Sequence, residues 1–83
     1  MNDTASYFET RQTRDSGIVK AQLSKREIEV LTLAAEGLSK NVIASRLFVS
    51  EGTVKTHLQN IYRKLEVNGK IAAIKVVQIH GII

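Results

Sequence analysis

The sequence predicts an all-α domain of four helices that follows a disordered N-terminal tail. From Leu23 onward, apolar residues recur at the spacing of an α-helix. A serine stands before each of the first three apolar runs, and glycine follows the first and the last. Residues 1–22 are polar and lack this periodicity. They are predicted to form a flexible tail or linker, and residues 23–83 are predicted to form one domain.

The first predicted helix covers about residues 25–36. Ser24 is followed three residues later by Glu27, a spacing typical of a capping box at a helix N-terminus. Gly37 stands where a left-handed residue would end the helix. Glu29 lies within the apolar stretch without a catalytic partner motif, so we expect it to bond to a later basic residue.

The next two predicted helices, 40–47 and 51–65, are separated by only three residues. Ser39 and Ser50 are suitable caps. Helix 51–65 carries apolar residues at 54, 58, 61 and 65, which lie on one face of the helix. Two helices joined by so short a turn match the helix-turn-helix motif, whose second helix lies in the major groove of DNA. Ala44 is small enough to let the two helices approach closely.

The last predicted helix covers residues 70–80 and ends at Gly81. Its apolar residues lie all round the helix, so one side can pack on the core while another remains exposed. The surplus near Ala72, Val76 and Ile79 suits a contact between two copies of the chain. The alternative is a fully buried helix in a monomer.

The side of helix 51–65 opposite its apolar face is polar. It carries Gly52, Thr56, Gln59 and Arg63, with Lys55 and Asn60 at its edges. Lysine can donate to guanine, glutamine can pair with adenine, and the threonine methyl group can contact that of thymine. The alternative is an ordinary solvated face of an amphipathic helix.

Composition narrows the function. Residues 23–83 carry nine Lys or Arg against five Asp or Glu, whereas residues 1–22 are neutral, so the excess charge favours a polyanionic partner. Cysteine is absent, and His57 and His80 are far apart, so we expect no metal site, no cofactor and no small-molecule ligand. No set of residues suits a catalytic site. No apolar segment is long enough to cross a membrane, and we expect a cytoplasmic protein.

From Leu23 the chain has the run LSKREIEVLTLAAEGLSKNVIASRLFVSEGTVKTHLQNIYRKLEV. This run shows a resemblance to the DNA-binding domain of the LuxR/NarL/FixJ family. It implies four helices, of which the third is the recognition helix and the fourth a dimer contact. It implies base contacts from Lys55, Thr56 and Gln59, the positions that the helical projection also selects. It implies contacts to the DNA backbone from Ser39, Lys40, Asn41, Ser50, Thr53 and Lys64, to which the polar face adds Arg63.

Together these observations predict a sequence-specific regulator of transcription that binds double-stranded DNA as a homodimer, with RNA polymerase as a candidate further partner. Two alternatives stay open. One is a protein-interaction module that modulates a larger regulator without binding DNA, and the other is the promoter-contacting region of a sigma factor. The chain is expected to be a stand-alone regulator or the C-terminal domain of a longer one, and Met1 favours the former.

Overall fold

The computed structural model describes residues 16–83, which form five helices and no strand. The helices are α1 (Ser16–Gln22), α2 (Lys25–Ala35), α3 (Lys40–Leu47), α4 (Glu51–Leu65) and α5 (Lys70–Ile79). The all-α class is confirmed. The four predicted helices correspond to α2–α5, and every predicted end lies within one residue of the observed end.

Helix α1 differs from the prediction, because residues 16–22 were expected to belong to a flexible tail. Val19 of α1 is fully buried and Leu23 is almost so, and both belong to the hydrophobic core. With one buried apolar residue, a seven-residue helix has no periodicity from which it could be predicted. The prediction for residues 1–15 lies outside the described residues.

The helix ends follow the predicted caps. The Ser24 hydroxyl accepts a hydrogen bond from the Glu27 amide at 3.0 Å, and the Glu27 carboxylate accepts one from the Ser24 amide at 2.9 Å. This completes the capping box. Gly37 has a φ of 90°, as expected of a left-handed helix stop. Two left-handed positions were not predicted: Phe48 closes α3 with a φ of 59°, and Glu66 closes α4 with a φ of 58°.

Helix α4 lies at the centre of the fold and contacts α2, α3 and α5. Its four predicted core residues, Val54, Leu58, Ile61 and Leu65, are all buried. Ala44 of α3 is also buried, and α3 and α4 are in contact. Since one face of α4 is packed on three helices, its opposite polar face is directed away from the core.

Candidate nucleic-acid interface

The polar face of α4 is open to solvent along its length. Lys55, Thr56, Gln59 and Arg63 are all exposed, as is Gly52 near the start of the helix. Within residues 16–83, none of these four side chains forms a hydrogen bond or an ion pair. The structure therefore brings the predicted base-contacting residues together on one surface, where their donors and acceptors are available to a ligand.

The N-terminus of α4 adds hydroxyl groups beside this face. Ser50 Oγ accepts a hydrogen bond from the Thr53 amide at 3.0 Å and lies 3.0 Å from Thr53 Oγ1. One of these two hydroxyl groups donates to the other, so one O–H remains for an external acceptor. That hydroxyl and the backbone N–H groups of the exposed first turn suit an anion.

The start of α3 repeats this arrangement. Ser39 Oγ accepts a hydrogen bond from the Val42 amide at 3.3 Å. Lys40 and Asn41, the first two residues of α3, are exposed. Six of the seven predicted backbone-contacting residues thus lie at the N-termini of α3 and α4 or on the polar face of α4.

Lys64, the seventh, has an intramolecular partner. Its Nζ lies 2.8 Å from Oε1 and 3.0 Å from Oε2 of Glu27, 37 residues earlier in the chain. Glu27 is only 4% exposed, and the Lys64 side chain is 32% exposed. This ion pair joins the first turn of α2 to the last turn of α4. It therefore ties the C-terminal end of α4 to α2.

The prediction for Glu29 is wrong. Glu29 is exposed and pairs with Arg26 of the same helix at 3.2 Å, so it does not join α2 to a later element. The carboxylate that does so is Glu27, which sequence reasoning assigned to the capping box alone. Its spacing from Leu31 and Ala34, four and seven residues, places it on the buried face of α2 and is the signal that could have identified it.

The surroundings of Glu27 favour its charged form. Burial by itself raises the pKa of this carboxyl group. The hydrogen bonds from Lys64 and from the Ser24 amide, with the nearby charges of Lys64 and His57, outweigh that effect and hold the pKa below its ordinary value of 4.5. The ion pair is therefore intact at neutral pH.

The exposed side of α5 is partly apolar. Of the predicted dimer residues, Ala72 is exposed and Ile79 is 81% exposed. Val76 is half-buried and packs against the core instead. Ile71, which the prediction omitted, is 70% exposed. Ile71 and Ile79 are eight residues apart, close to two helical turns, so they lie on one side of α5.

No helix within residues 16–83 is long and apolar enough to cross a membrane. Over the same residues, His, Cys, Asp and Glu do not gather into a group of three that could bind a metal ion.

The fold is that of a helix-turn-helix domain. The short helix α3 and the longer helix α4 are joined by a three-residue turn, and α4 has an open polar face. Residues 21–77 match the family described as bacterial regulatory proteins, luxR family. The chain belongs to this family, and the resemblance identified in the sequence is confirmed.

Known regulators of this family are similar to the chain. It is 51% identical over 51 residues to the nitrate/nitrite response regulator protein NarP of Escherichia coli, covering 61% of this chain and 24% of NarP. It is 40% identical over 63 residues to the transcriptional regulatory protein LiaR of Bacillus subtilis, covering 76% of this chain and 30% of LiaR. With the CsgBAC operon transcriptional regulatory protein of E. coli it shares 42% identity over 72 residues, covering 84% of this chain and 33% of that protein.

The fold is also found in a solved structure, that of the response regulator ChrA of a heme-sensing two-component system. The TM-score is 0.70 at 49% sequence identity, over 74% of this chain and 30% of ChrA. The chain thus spans about a quarter to a third of the length of these relatives.

Proposed function

We propose that the chain binds double-stranded DNA sequence-specifically, with α4 in the major groove, and regulates transcription as a homodimer. The observation that carries the proposal is the exposed polar face of α4, on which Lys55, Thr56 and Gln59 have no side-chain partner among residues 16–83. The names of the relatives describe regulators of transcription, which supports the same role here.

The dimensions and chemistry of α4 suit the major groove. An α-helix with its side chains is about 10–12 Å across, and the major groove is about 12 Å wide. Gly52 carries no side chain in the first turn, so this end of the helix can approach the base edges closely. The side chains of Lys55 and Gln59 then provide donors for guanine and a paired donor and acceptor for adenine.

The test compares two double variants that each remove one lysine and one glutamine. K55A/Q59A alters the polar face of α4, and the control K20A/Q22A alters exposed residues of α1. The preferred DNA sequence is first selected from a random double-stranded library with the unaltered protein. Binding to that sequence and to random DNA is then measured over a salt series.

We expect K55A/Q59A to lose discrimination between the two DNAs by about 10-fold or more, since a good base contact contributes about 1–3 kcal/mol of discrimination. The control should discriminate as the unaltered protein does. Full discrimination by K55A/Q59A would contradict the assignment of the face. Failure of the unaltered protein to bind any DNA at low salt would favour a protein-interaction module instead.

The dimer is proposed to form through α5, because no element of the described part of the chain covers Ala72 and Ile79 on its exposed side. A two-fold dimer would bind two half-sites about one helical turn apart. The variant A72E/I79E places charge on exposed positions and spares half-buried Val76, so it should fold. Sedimentation velocity should show a dimer for the unaltered protein and a monomer for the variant, with I18E on α1 as the control. Equal mass for the unaltered protein and A72E/I79E would refute the α5 contact.

A further inference from the structure

A cleft of about 310 Å³ lies on one flank of α4, where the end of α2 and the beginnings of α3 and α5 meet it. Ile43 and Leu58 contribute apolar surface to it. The polar residues that line it are Ser39, Lys40, Tyr62 and Lys70. We infer that this cleft binds a phosphate of the DNA backbone, held between Lys40 and Lys70. The inference rests on the proposed function and adds Tyr62 and Lys70 to the interface.

The two lysines have no counter-charge in the described part of the chain. Neither Lys40 nor Lys70 forms an ion pair or a hydrogen bond through its side chain there, and no carboxylate lines the cleft. Two cations that line one cavity repel each other, and an anion between them offsets that repulsion.

The position of each lysine in its helix adds to this excess of positive charge. Lys40 is the first residue of α3 and Lys70 the first of α5, and neither helix has an acidic residue in its first turn. The N-terminus of a helix already carries partial positive charge, so a lysine there is unfavourable. Helix α2 also begins with a lysine, Lys25, but it has Glu27 in its first turn, and α4 has Glu51. The arrangement becomes favourable when an anion binds in the cleft.

The other polar groups of the cleft are donors. Burial raises the pKa of Tyr62, so its hydroxyl group stays protonated and can donate. Ser39 accepts from the Val42 amide and keeps its own O–H. The cleft therefore offers ammonium and hydroxyl donors but no ionised acceptor, a set that matches a phosphate oxygen.

The cleft lies beside the polar face of α4. At about 100° per residue, Tyr62 is about 20° from Lys55 and about 60° from Gln59 around the helix axis. A helix that fills the major groove has a phosphate strand along each flank. When Lys55 and Gln59 meet base edges, the strand on this flank passes the mouth of the cleft.

The test measures how binding to DNA depends on salt. Each phosphate neutralised by a lysine contributes about 0.9 to the slope of log K against log salt concentration. Because the two lysines hold one phosphate, the variant K40A/K70A should reduce the magnitude of the slope by about 0.9 per chain. It should weaken binding to preferred and random DNA by the same factor. The control K20A/K25A removes the same charge from exposed lysines outside the cleft and should leave the slope nearly unchanged.

Folding provides a second readout. Removal of two lysines from helix N-termini should raise the Tm of K40A/K70A, whereas lysines with a structural role would lower it when removed. Y62F should weaken binding to both DNAs alike without changing the slope.

Three outcomes overturn the inference. The first is DNA binding by K40A/K70A with the same affinity and the same salt slope as K20A/K25A, which leaves the proposed function intact. The second is saturable binding of inorganic phosphate to the cleft, measured by amide NMR shifts at constant ionic strength, while K40A/K70A keeps the salt slope of DNA binding of the unaltered protein. The cleft would then be a site for a free anion. The third is absence of DNA binding by the unaltered protein, which overturns the proposed function as well.

Discussion

Replacement of Lys64 by methionine tests whether this residue stabilises the fold or contacts DNA. The substitution keeps most of the volume of the side chain and removes the ammonium group. Glu27, which is 4% exposed, then keeps only the hydrogen bond from the Ser24 amide at 2.9 Å. The two contacts from Lys64 Nζ at 2.8 and 3.0 Å are lost.

The magnitude follows from the burial of the pair. Removal of one partner from a fully buried ion pair costs about 3–5 kcal/mol. Because the Lys64 side chain is 32% exposed, water can partly solvate the remaining carboxylate, and we expect a loss of about 2 kcal/mol. A domain of this size has a free energy of unfolding of about 3–10 kcal/mol. The Tm should therefore fall by about 8–16 °C.

The assay is urea and thermal unfolding of K64M, E27Q and the double variant, followed by circular dichroism. The matched control is R26M, which breaks the exposed Arg26–Glu29 pair at 3.2 Å and should cost at most about 0.5 kcal/mol. The double variant should be less affected than the two single losses added together, with a coupling energy of about 1–3 kcal/mol. A loss for K64M no larger than for R26M, together with a reduced salt slope of DNA binding, would refute the structural role.

Four other substitutions or conditions give distinct expectations. The pKa of Glu27 is lowered in the fold, so the stability that its charged form contributes is complete above its ordinary pKa of 4.5. That stability is lost as the pH falls through the lowered pKa. The difference in unfolding free energy between the unaltered protein and K64M should therefore disappear in acid. G52A should stabilise α4 by about 0.5–1 kcal/mol, because alanine favours the helix and the added Cβ meets only Ser50 Oγ at 3.7 Å. It should also weaken specific DNA binding, because the added methyl group widens the turn that approaches the bases. Unchanged affinity would contradict entry of this end of α4 into the groove. F48G should not lower the free energy of unfolding, and should raise it by up to about 1 kcal/mol, because Phe48 is 93% exposed and left-handed; a clear loss in urea unfolding would contradict this. S24A removes the side-chain cap of α2 and should cost about 1 kcal/mol in the same measurement, and an unchanged midpoint would argue against the capping box.

The helices could be predicted from the sequence because their signals are local. A serine cap, an apolar stripe and a glycine stop predicted α2 to within a residue, and a serine cap with an apolar stripe predicted α4. The exposed polar face followed from the same periodicity. Helix α1 could not be predicted, since its place in the core depends on Val19 meeting residues far away in the chain.

Pairwise contacts were harder to predict than helices. The capping role of Glu27 depends on Ser24, three residues away, whereas its ion pair depends on a residue 37 positions away. Sequence reasoning therefore attributed the tertiary contact to Glu29, which forms only an i,i+3 pair. The left-handed conformation of Phe48 was also not predicted, because such a residue is expected to be glycine or asparagine. At Phe48 only the geometry of the short turn requires this conformation.

The same distinction separates the basic residues by role. Lys64 and Lys70 are alike in the sequence, since both lie near helix ends in a basic segment. In the fold, Lys64 is neutralised by a buried carboxylate, whereas Lys70 faces a cleft that Lys40 also lines and that no carboxylate lines. A charge satisfied internally contributes to the free energy of folding, and one left unsatisfied is available to an external anion. Loss of Lys64 should therefore lower stability and leave the salt dependence of DNA binding intact. Loss of Lys70 should do the reverse, so the two measurements together separate the lysine that stabilises the fold from the one proposed to bind DNA.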